Sequence, residues 1–237
     1  MDPRHGSVHL LAVQALAVFQ GRRHPCAHES GEAIAARPRV CQTDLRHLAP
    51  RFIPKEQRKG DAAPQIPVRI IASGRLSNEK NHVELIEAIC RCAHADDIHL
   101  TIAGTGPIRN KLVRFAKRKL KRPASIGFHK NSTMPQLLRS ADLLVHPSIA
   151  DLESVSVIEG MASGLVPVIA DSKLSAAGQF SLCPQSSYPV GDVDALAERI
   201  DWWIDHPAQR QEMEVRYAEH AKQYALERSI QLTEEMF

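Results

Sequence analysis

From residue 67 onward the chain alternates short apolar runs with longer stretches of helical period. Val68-Arg69-Ile70-Ile71-Ala72-Ser73 is a β-branched run ended by Gly74, the pattern of a strand covered on both faces. Asn81 to Ala93 carries Val83, Leu85, Ile86 and Ile89 at helical spacing. Ile98 to Ala103 predicts a second strand, stopped by Gly104. Ile108 to Arg122 predicts a helix whose apolar face is Ile108, Leu112, Phe115, Ala116 and Leu120. Further strands are predicted at Ala124–Phe128, Leu143–His146 and Val166–Ala170. Helices are expected around Thr133–Ser140, Val155–Ser163, Asp192–His206 and Ala208–Glu235. Strands alternating with helices imply an α/β fold, a Rossmann-like parallel sheet with helices on both faces. Sheets of this kind bind ligands beyond the carboxyl ends of their strands.

Residues 1–63 lack this regularity. The first 50 contain six arginines, five histidines and no lysine. Apart from the largely apolar run Val8 to Phe19, hydrophobic periodicity is hard to find, so the segment offers one helix at most and too little surface to offset chain entropy. That run is shorter than the roughly 20 residues of a membrane span, and no small-residue cleavage pattern follows it. The expected organisation is an incomplete N-terminal remnant over 1–63 and a folded domain over 64–237. Hydrophobic content of 43% and a net charge of +3 suit a globular protein and give no argument for nucleic acid. The five cysteines show no metal-type pairing, so they read as reduced and the protein as cytoplasmic.

The strand ends carry the candidate chemistry. Gly74-Arg75-Leu76-Ser77-Asn78-Glu79-Lys80 places two cations in a loop before a helix. Arginine can fork phosphate oxygens and lysine adds a compact charge, so together they could stabilise a departing diphosphate. The same spacing also fits a solvated surface loop. Gly104-Thr105-Gly106-Pro107 lacks the third glycine of a dinucleotide fingerprint. It reads instead as a tight turn for close approach of a ligand or of the next helix, with Pro107 opening that helix.

Ser154 is the expected N-cap of the helix beginning at Val155, whose free amides could hold a diphosphate. Asp151 stands before that helix, and Glu159 lies a turn or more inside it. Asp151 and Glu153 could equally be acids that complement the helix dipole. His146 reads as a structural strand-end residue, and Trp202 and Trp203 as packing. Lys111, Arg114, Lys117, Arg118, Lys119, Lys121 and Arg122 make one face of helix 108–122 basic, fitting either solvation or an anionic membrane surface.

Taken together, Gly74-Arg75 with Lys80, Gly104-Thr105-Gly106-Pro107, Ala141-Asp142-Leu143 and the acids Asp151 and Glu159, spaced E-x7-E, resemble the C-terminal domain of family 4 retaining glycosyltransferases. The resemblance covers residues 68–237 and implies one half of a GT-B fold. It implies that Arg75 and Lys80 hold the donor diphosphate, that Asp151 touches the sugar and that Glu159 binds ribose. Gly74, Gly104, Gly106, Ser154 and Val155 complete the implied donor site. Aspartate at 151 is shorter than the family's glutamate. The implied reaction is front-face transfer of a hexose from a nucleotide sugar, such as UDP-glucose, with no metal or other cofactor.

Asp151-Leu152-Glu153, Gly164 to Ala170 and Asp201 to Pro207 also resemble diacylglycerol glucosyltransferases. That narrower likeness implies a lipid or glycan acceptor and association with the inner face of the membrane. The family's N-terminal half is expected to be essentially absent from residues 1–63. A donor-binding module inactive by itself is therefore the alternative.

Overall fold

The computed structural model describes residues 67–224, all within one compact unit. The expected remnant at 1–63, the apolar run Val8–Phe19, Cys26, Cys41 and the end of the last predicted helix lie outside the described residues.

In chain order the elements are β1 (Val68–Ser73), α1 (His82–Arg91), β2 (Ile98–Ala103), α2 (Arg109–Lys119), β3 (Ser125–Gly127), α3 (Met134–Ser140), β4 (Leu143–His146), β5 (Ala150–Asp151), α4 (Val155–Ala162), β6 (Val166–Asp171), β7 (Leu174–Ser175), β8 (Ser187–Pro189), α5 (Val193–Asp205) and α6 (Pro207–Ala221). Six strands form one parallel sheet in the order β3-β2-β1-β4-β6-β8, while β5 and β7 pair as a separate parallel ribbon. The chain builds outward from β1 through β2 to β3, then returns to the other side of β1 at β4. The reversal opens a crevice between β1 and β4 at their carboxyl ends.

Alternation along the central strands explains why both faces are covered. Ile70 and Ala72 of β1 and Val145 of β4 join the large core with Leu85, Ile86, Ile102, Ile200 and Trp203. Ile71 and Leu144, one residue out of phase, join a second core closed by Leu138 and Ala141 of the α3 region and by Leu165. The predicted strands at Val68–Ser73, Ile98–Ala103 and Leu143–His146 match residue for residue. Most predicted helices are one to three residues too long at an end, where capping and fraying decide the boundary.

Some expectations are corrected. Helix α2 opens at Arg109, so Pro107 belongs to the turn before it. The short pieces β5, β7 and β8 carry too few residues to show a period. Trp203 is buried, and Trp202 stacks on His206 at 4.2 Å, which agrees with a packing role. Cys90, Cys92 and Cys183 are unpaired thiols.

Asp142 serves the opposite edge from the crevice. Buried at the start of β4, its Oδ2 accepts from Arg69 N at 2.9 Å and from Arg69 Nε at 3.3 Å, and Asp142 N donates to Arg69 O at 2.8 Å. It therefore sets β4 against β1 and stands apart from any ligand. Replacing Asp142 by alanine leaves a strand amide without its acceptor. Urea unfolding should show a loss of about 1.5–3 kcal/mol, with ligand affinity unchanged once the variant is folded.

Candidate functional site

Two loops that leave β1 and β2 are pressed together, and glycine makes this possible. Leu76 N donates to Thr105 O at 2.8 Å, and Ile108 N donates to Leu76 O at 3.2 Å. A Cβ on Gly104 would run into the carbonyl oxygen of Gly74, and one on Gly106 into the backbone of Leu76. What fills the missing Cβ position at these glycines is thus the backbone of the neighbouring loop. Gly74 has φ +144°, a backbone conformation that suits glycine.

A cleft of about 640 Å³ lies over this seam. Ser73, Gly74 and Arg75 form one wall, and Ala103 to Gly106 form the floor. Phe128, His129, Asn131 and Met134 follow β3, and Ser156 and Glu159 of α4 close the far side. Of the sequence-predicted set, Gly74, Arg75, Gly104, Gly106 and Glu159 meet here. Arg75 is exposed and, among the described residues, carries no ion pair. Glu159 is half-buried, and burial pushes its carboxyl above the ordinary range.

Lys80, Asp151, Ser154 and Val155 are not among the lining residues; the first three form a knot beside the cleft. Ile149 N donates to Glu79 O at 2.8 Å, which ties the loop after β4 to the loop after β1. This brings Lys80 Nζ within 2.5 Å of Asp151 Oδ2. Asp151 Oδ1 accepts from Ser154 N at 3.0 Å, and His146 Nε2 lies 3.2 Å from Oδ2. Burial alone would raise the Asp151 carboxyl. Contacts from His146, Lys80 and the Ser154 amide outweigh it and hold the group well below the carboxylate range. The Lys80 stem also packs near Gly74, so the knot adjoins the cleft wall.

Ser154 departs from its expected role. It occupies the N-cap position of α4 but has φ 51°, makes no side-chain cap, and leaves its buried hydroxyl without a partner. Its amide caps Asp151 instead. Beneath the loop lies His82, 2% exposed, which burial pushes down to about 4, so it stays neutral beside Lys80.

The sequence reading missed Ser156, Phe128 and the contacts of His146. The spacing of Ser156 and Glu159, three apart on one helix face, is a signal that could have found the first. Phe128 is 68% exposed, yet it follows directly on a strand that ends in the crevice.

The model for "Glycosyl transferases group 1" matches residues 54–224. The chain belongs to this family. The solved catalytic domain of a cholesterol-α-glucosyltransferase from Helicobacter pylori is 34% identical to this glycosyltransferase domain, with a TM-score of 0.65. That match covers 67% of this chain and 99% of the other. The Anabaena protein HepE, solved with UDP-glucose, is 21% identical with a TM-score of 0.60, covers 71% of this chain and 48% of its own, and shows the fold. An uncharacterized glycosyltransferase of Methanocaldococcus jannaschii is 30% identical over 105 residues, 44% of this chain. The chain spans 27% of that relative's length. The sheet is thus the α/β, Rossmann-like sheet of GT-B glycosyltransferases.

The two acids should respond to pH in opposite directions. Asp151 is depressed in the folded state, so its stabilisation is complete above the unfolded value of about 3.9 and fades as pH falls through its lower folded value. Glu159 is raised, so it destabilises the fold increasingly as pH rises past about 4.3. Urea titrations from pH 3 to 7 should show Asp151→Asn least stable at neutral pH. Glu159→Gln should show the reverse, a gain at neutral pH that vanishes in acid.

Proposed function

We propose that this domain binds a nucleotide sugar, UDP-hexose, and transfers its hexose with retention to a lipid or glycan acceptor. The observation that carries the reading is the cleft at the β1–β4 switch point, lined by Arg75, Gly74, Gly104, Gly106 and Glu159, in which Arg75 carries no ion pair among the described residues. An arginine at one end suits phosphate oxygens, a carboxylate at the other suits sugar hydroxyls, and the exposed Phe128 ring offers a stacking face for a base. HepE, which shares the fold, binds UDP-glucose and supports this choice of donor.

In the reaction the bond from the anomeric carbon to the diphosphate breaks, and the acceptor oxygen attacks the same face. Arg75 meets the negative charge that grows on the leaving group. Lys80 joins it by exchanging Asp151 for phosphate, which leaves Asp151 next to the sugar. The α4 amides after Ser154 point the same way. All bonding changes lie between the two substrates, and the protein supplies position and charge.

A membrane lipid is the acceptor that the surface favours, as in diacylglycerol glucosyltransferases. Lys111, Arg114, Lys117, Arg118 and Lys119 are exposed along α2, with Val113 38% exposed among them. Arg118 and Lys119 lie over the Phe115 ring at 5.6 and 6.0 Å. A cationic face with apolar residues at its centre suits an anionic bilayer. The Helicobacter pylori relative, named for glucosylating cholesterol, is consistent with a lipid acceptor.

The second reading is a donor-binding module that needs another polypeptide half to turn over. The chain spans 36–48% of the length of several neighbours of the same fold.

Calorimetric titration with UDP-glucose, alongside an assay for glucose transfer to lipid, tests both readings. Binding with transfer supports the enzyme, binding without transfer supports the module, and no binding sinks both. Arg75→Ala should weaken UDP by about 10- to 100-fold, the worth of a charge-assisted contact. Lys80→Ala should weaken it less, because Lys80 must first leave Asp151, and should lower the melting temperature as well. Sedimentation with vesicles should show retention on phosphatidylglycerol, none on phosphatidylcholine, and release by salt.

A further inference from the structure

His146 stands between the knot and the cleft. Its side chain is nearly inaccessible, with Nε2 3.2 Å from Asp151 Oδ2 and Nδ1 3.5 Å from Ser156 Oγ. The approach is not a formed hydrogen bond, since Nε2 is a buried atom without a partner. Asp151 is ionised and can only accept, so a hydrogen on Nε2 is the arrangement that avoids setting a ring lone pair against the carboxylate. Lys80 already balances that carboxylate through the same oxygen. Neutral His146 carrying its hydrogen on Nε2 has a bare Nδ1, which can only accept. The Ser156 hydroxyl is the group placed to donate to it. The contact is long, as such bonds often are before a ligand closes the site.

Ser156 lines the cleft, and Glu159 lies one helical turn further along the same face. With its hydrogen turned toward His146, Ser156 shows the cleft lone pairs alone. We propose that His146 is a positioning residue: held in the Nε2–H tautomer by Asp151, it takes the Ser156 hydrogen and makes Ser156 an acceptor for a ligand hydroxyl. Ser156 and Glu159 then form an acceptor pair that suits a vicinal diol and disfavours an anion at that point. The diphosphate is left to the Arg75 side. The inference rests on the donor-site reading for the identity of the diol, which is that of a ribonucleotide. The tautomer itself does not depend on it.

Two measurements on the full chain test this. In the 15N-labelled protein without ligand, long-range proton–nitrogen correlation reads the ring, with His146 assigned from its loss in His146→Asn. A neutral Nε2–H ring whose Nδ1 resonance moves in Ser156→Ala is expected. An Nδ1–H or doubly protonated ring, or an Nδ1 that ignores Ser156→Ala, overturns the proposal.

Calorimetry then compares UDP with 2′-deoxy-UDP and 3′-deoxy-UDP. Ser156→Ala and His146→Leu should each lose about 3- to 10-fold in UDP affinity, one neutral hydrogen bond, with no further loss when combined. Each should also narrow the preference for UDP over one of the deoxy analogues. His146→Asn, whose amide oxygen can accept where Nδ1 does, should recover most of the affinity. If wild type binds UDP and these variants bind it equally, the role of His146 is overturned. If wild type binds no UDP, the donor reading falls and the ring spectrum decides His146 alone. Melting curves confirm that each variant is folded, and Ser156→Ala carries the comparison if His146→Leu is not.

Discussion

The site is organised by a single charge pair. Lys80 follows β1 and Asp151 follows β4, strands that are neighbours in the sheet, although the two residues lie 71 positions apart in the chain. Their contact ties the loop after β1 to the loop after β4 beside the cleft. A half-buried carboxylate with a cation, an imidazole and an amide around it has no low-cost alternative partner. Pairing also keeps Lys80 from being a free surface cation. Among the described residues that line the cleft, Arg75 carries no ion pair and is the cation placed for an incoming anion.

Much of this was legible in the residues. The central strands showed themselves through β-branched runs ended by glycine, and the helices through their period, because burial on both faces leaves little choice of residue. The E-x7-E spacing located Asp151 and Glu159, and Glu159 does face the cleft. The parts not legible depend on contacts between distant segments. Nothing in the spacing of Gly104 and Gly106 says whether a ligand or another loop fills the missing Cβ. Nor does it show that Lys80 is engaged by Asp151, since that requires the reversal of strand order between β1 and β4.

Ser154 shows a different limit. Serine before a helix is the standard sign of a side-chain cap. Here the residue is turned into a left-handed conformation so that its amide can reach Asp151. The local preference yields to the demand of the charge pair, and the serine hydroxyl is left buried without a partner. A site residue overrode a rule that held elsewhere in the same chain, where Asp192 caps α5 through its side chain in the ordinary way.

The seam between Gly74–Leu76 and Gly104–Gly106 has a mechanical meaning. The two loops touch backbone to backbone and are joined by hydrogen bonds from the amides of Leu76 and Ile108. The loop after β1 is thereby tied to the loop after β2 and, through the Ile108 amide, to the residue before α2. The arginine in the crevice and the basic outer helix thus spring from opposite ends of one shared backbone seam.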